Sequence, residues 1–74
     1  MEIKVGIQHV NREVVVETTE TAAAVVAAFS VAVDSQGVFT LVDERGRRVL
    51  IPSSKIAYVD LGEEHARKVG FGSL

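Results

Sequence analysis

The stretch Val38–Leu61, VFTLVDERGRRVLIPSSKIAYVDL, decides the fold. Val38, Phe39, Thr40 and Val42 are β-branched or aromatic and Leu41 is apolar, a composition suited to a pleated, half-buried surface. Asp43-Glu44-Arg45-Gly46 supplies a turn, because Asp suits its first position and Gly46 tolerates positive φ. Arg47 to Ile51 is the return strand, and it ends at Pro52, which has no N–H for a ladder. Ser53-Ser54-Lys55 turns the chain again, and Ile56 to Leu61 forms a strand that Gly62 stops. The expectation is a meander of three consecutive antiparallel strands at the centre of a sheet.

Upstream, Met1 to Gln8 alternates: Met1, Ile3, Val5 and Ile7 on one face, Glu2, Lys4, Gly6 and Gln8 on the other. That period of two marks a half-buried strand. His9 to Arg12 reads as a hairpin loop, and Glu13 to Thr18 returns with Val14 and Val16 inward and Val15 outward. Thr18 and Thr19 offer an N-cap for a helix running to about Asp34, with Glu20 in its first turn and Gly37 as its stop. At about 100° per residue, Ala22, Val25, Val26, Phe29 and Val33 share the face expected to lie on the sheet. The fold class is therefore α+β, in the order β-β-α-β-β-β, an antiparallel sheet with one helix packed on one face. One domain spans 1–62, followed by a C-terminal tail, 63–74.

Two surfaces look uncovered in this arrangement. No charge occurs between Glu20 and Asp34, so the outer face of the helix, with Ala24, Ala27 and Val31, is unusually bland. Alanine facing water is harmless by itself, and a closely packed second helix is the sharper reading. A single helix covers one face of a sheet, which leaves Val38, Val42 and Leu50 pointing outward, joined by Val15. The tail adds Val69, Phe71 and Leu74 as apolar pegs between glycines, able to dock on the chain's own sheet or on a partner.

Composition narrows the function. The chain has 74 residues, a net charge of −2 and 47% hydrophobic residues, so it forms one small domain. A core this small rarely supplies more than ~3–5 kcal/mol without a staple. The absence of cysteine removes both disulfides and thiolate metal sites, which leaves self-association as the available staple. The N-terminus enters a strand directly, with no basic region followed by an apolar core, and the longest apolar run falls short of a membrane span. A cytoplasmic protein without membrane attachment is the expectation.

Chemistry-bearing residues are sparse. The two histidines, His9 and His65, stand in a loop and in the tail, with no spacing that pairs them with Ser53 or Ser54. Asp43, Glu44, Asp60, Glu63 and Glu64 read as solvated turn and terminus charges. Catalytic residues, cofactor and metal are all expected to be none. Gly70-Phe71-Gly72 has no helix after it to aim at phosphate, so it is no nucleotide loop. Arg45, Arg47 and Arg48 cluster at one hairpin with Lys55 at the next turn, a candidate nucleic-acid patch. Asp43 and Glu44 beside the arginines, few aromatics and mild acidity weigh against it.

The opening Met1-Glu2-Ile3-Lys4-Val5-Gly6-Ile7-Gln8 and the Asp43-Glu44-x-Gly46-Arg47-Arg48 turn stand with Ile51-Pro52 and Ile56-Ala57-Tyr58-Val59. Together with the closing Arg67-Lys68-Val69-Gly70-Phe71-Gly72, they resemble a family of small actinobacterial proteins known only as a domain of unknown function. The resemblance covers essentially the whole chain and is most specific at head and tail. It implies a stand-alone cytosolic protein of this size and brings no established catalytic residue. Some members carry a generic ATP-binding label, which no motif in this chain supports. The alanine-rich helix, short of the acidic residues associated with the family, is a departure. The expected function is a non-catalytic protein-interaction or homo-oligomerisation module, its partner a second copy (a dimer) or an unidentified protein. A small nucleic-acid-binding regulator using the basic hairpin is the alternative.

Overall fold

The computed structural model describes residues 1–62. The elements are β1 (Glu2–Ile7), β2 (Glu13–Glu17), α1 (Ala22–Ser35), β3 (Val38–Val42), β4 (Arg48–Pro52), a 3-10 turn (Ser53–Lys55) and β5 (Ile56–Leu61). This is the expected α+β class in the order β-β-α-β-β-β, with all strand pairs antiparallel. The tail and its candidate contacts Val69, Phe71 and Leu74 lie outside the described residues.

The expected meander is not formed. The strands make two sheets, a three-stranded one in the order β2-β1-β5 and a two-stranded one of β3 and β4. The central strand is β1, not the Val38–Leu61 stretch. Pro52 closes β4, and the 3-10 turn redirects the chain instead of folding it back beside β4. The turn is held against the end of β1, where the Gln8 amide donates to the Lys55 carbonyl at 2.8 Å. Ile3 then faces both Val16 and Leu61, and Val5 faces both Val14 and Val59. A register shift between Gly6 and Ile7 pairs Ile7 with Ile56 and Gly6 with Tyr58, which skips Ala57. That bulge turns Ile56, Val59 and Leu61 inward while Tyr58 points out.

One buried cluster joins Ile3, Val5 and Val16 with Ile56 from the first sheet, Phe39, Leu41 and Ile51 from the second, and Val25 and Ala32 from the helix. The inward and outward faces of β1, β2, β3 and β4 follow the alternation read from the sequence. Phe39 is fully buried and meets Phe29 edge to face, centroids 5.3 Å apart and planes at 72°.

The helix starts later than expected. Thr21, not Thr18 or Thr19, is its N-cap, accepting the Ala24 amide at 3.1 Å. Thr18 is buried, and its own amide still donates to Met1 O at 2.9 Å, so it belongs to the strand pairing. Glu20 consequently precedes the cap, and the first turn has no acid. At the other end Gln36, not Gly37, adopts the left-handed conformation, with φ 56°. The Gly37 amide then reaches back to Ala32 O at 2.8 Å. No helix among the described residues is long and apolar enough to cross a membrane.

Candidate interaction surface

The surface of α1 follows from how little of it the core uses. Of its 14 residues only Val25 and Ala32 are buried, with Ala22 and Phe29 half-buried beside them. Val25, Phe29 and Ala32 recur at three- and four-residue steps, one narrow stripe of a 3.6-residue helix. The wider face expected from the sequence is corrected: Val26 is 50% and Val33 47% exposed, because the helix rolls until Ala32 takes the inner position. Ala lets the backbone approach the sheet, where Val in that place would hold it off.

Everything else on α1 faces out. Ala23, Ala24, Ala27, Ala28 and Ser30 are exposed, and Val31, at 66%, is the most exposed large apolar side chain among the described residues. Between Thr21 and Asp34 this face has no charge. Soluble helices commonly alternate a buried stripe with a charged one, and here the charged one is missing. The expected contacts Ala24, Ala27 and Val31 are brought together on it.

The hairpin candidates fall elsewhere. Val38 pairs with Pro52, Thr40 with Leu50 and Val42 with Arg48, so these side chains share the face opposite Phe39 and Leu41. Val38 is 53% and Leu50 63% exposed, while Val42 is half-buried. Since Phe39 turns toward Phe29 of α1, the hairpin separates its own outer face from the helix. The candidates therefore form two surfaces, not one. Val15, which faces Lys4 across β2 and β1, is a further exposed valine on the outside of the first sheet.

The basic hairpin is only partly a patch. Asp43 accepts the Arg47 Nε–H at 2.9 Å and the amides of Arg47 and Arg45 at 2.7 and 2.9 Å. The side-chain bond from Arg47, joined by the two amides and the nearby positive charge, holds the Asp43 carboxyl below its ordinary 3.8, against some loss of hydration. Arg47 is thus occupied in closing its own turn, where Gly46 has φ 87°. Arg45 and Arg48 are exposed, and Lys55 stands beyond the opposite end of β4. Neither these residues nor His9, which has φ 63° in the β1–β2 turn, gathers into a metal site: no three His, Asp or Glu converge among the described residues.

One arrangement was not read from the sequence. Glu13, Gly6 and Tyr58 lie side by side across β2, β1 and β5 on the outer face. Gly6 has no side chain, so the Tyr58 ring lies over it, and the Tyr58 hydroxyl donates to Glu13 Oε2. That bond, with loss of hydration and the charges of Glu13 and Asp60, raises the phenol above its ordinary 10.0. A folded-state value above the unfolded one stabilises the fold fully below pH 10.0 and less as pH rises through the raised value. Urea midpoints of the native chain should therefore decline on this alkaline limb. Tyr58→Phe should flatten the limb, and equal slopes for the two proteins would contradict the assignment.

The sequence matches, over residues 1–72, the family described as Protein of unknown function (DUF3107), and the chain belongs to that family. No curated protein matches it.

Proposed function

We propose that this member of a family without an assigned activity is a non-catalytic cytoplasmic interaction module that associates through the outer face of α1. The observation behind this reading is a 14-residue helix that fully buries two residues, Val25 and Ala32, packs Phe29 beside them, and turns an uncharged, valine-bearing surface outward. Contiguous exposed apolar area of this kind marks association surfaces, whereas scattered single side chains do not. A domain of 74 residues also gains most from an external source of burial.

Sedimentation equilibrium of the full chain tests it. The weight-average mass should rise from 8.0 kDa toward larger values as concentration approaches the order of 1 mM, the range expected of a contact below the standard interface size. Val31→Lys, at an exposed position, should leave the fold intact and weaken association at least about tenfold, the loss of roughly one buried aliphatic side chain. A mass fixed at 8.0 kDa throughout would count against self-association. Salt-sensitive retention on heparin that Arg47→Glu/Arg48→Glu abolishes would support the nucleic-acid alternative instead.

A further inference from the structure

We draw no further inference here: the strongest candidate, the open groove along the outer edge of β2, lined by Val15, Glu17, Glu44 and Arg45, carries none, because nothing in the structure shows what covers it.

Discussion

Phe39→Ala is expected to leave half or more of the chain unfolded at 25 °C. Truncating a buried Phe costs about 3–5 kcal/mol, the lost transfer energy plus the cavity left behind. A core of this size supplies about the same amount in total. Phe39 is fully buried where helix and both sheets meet, and its ring also makes the edge-to-face contact with Phe29. Circular dichroism with urea titration, at concentrations below any association, is the measurement. The native chain should show one cooperative transition, and the variant a truncated or missing folded baseline. Phe29→Ala is the internal control: that ring is only half-buried, so the loss should be distinctly smaller. Equal losses, or a Phe39→Ala midpoint near the native one, would show that the helix and hairpin do not share the core described here.

The parts of this molecule that were legible in the sequence are those fixed by short-range physics. Strict alternation in Met1–Gln8 and Val38–Val42 placed the inward and outward faces, because a strand side chain has just two directions to take. Asp43 and Gly46 marked their turn through residue chemistry alone. Features set by long-range packing were not legible. The partner of β5 lies at the other end of the chain, and nothing local distinguishes pairing with β4 from pairing with β1. The roll of α1 was hidden for the opposite reason: with Val and Ala on every side, its pattern has no polar pole to orient it. That same lack of polarity is what exposes Val26, Val31 and Val33, so the feature that defeated the reading of the helix also makes the candidate surface. Exposed Val38 and Leu50 were correctly placed outward, but sequence could not tell that the hairpin would separate them from α1.

Gly6→Val should destabilise the native chain by about 1–2 kcal/mol, although valine is the better strand former by roughly 1 kcal/mol. The reason lies on the neighbouring strand. A Cβ at position 6 would stand 2.2 Å from Tyr58 Cε2 and within 2.7 Å of two more ring atoms, Cζ and Cδ2, so the ring must leave. It then loses its apolar contact with β1 and withdraws its hydroxyl from the Glu13 carboxylate, a charge-assisted bond that water reaches. The ring can swing outward, so the loss is bounded and the fold survives. The decisive comparison is the same substitution in Tyr58→Ala, where the ring is absent. There Gly6→Val should be neutral or stabilising by up to about 1 kcal/mol, because only the conformational gain remains. The cycle should thus show a coupling of about 1–3 kcal/mol between positions 6 and 58. Additive effects would mean that the ring does not rest on Gly6. They would also undo the register that places Glu13, Gly6 and Tyr58 in one row, and with it the pairing of β5 to β1.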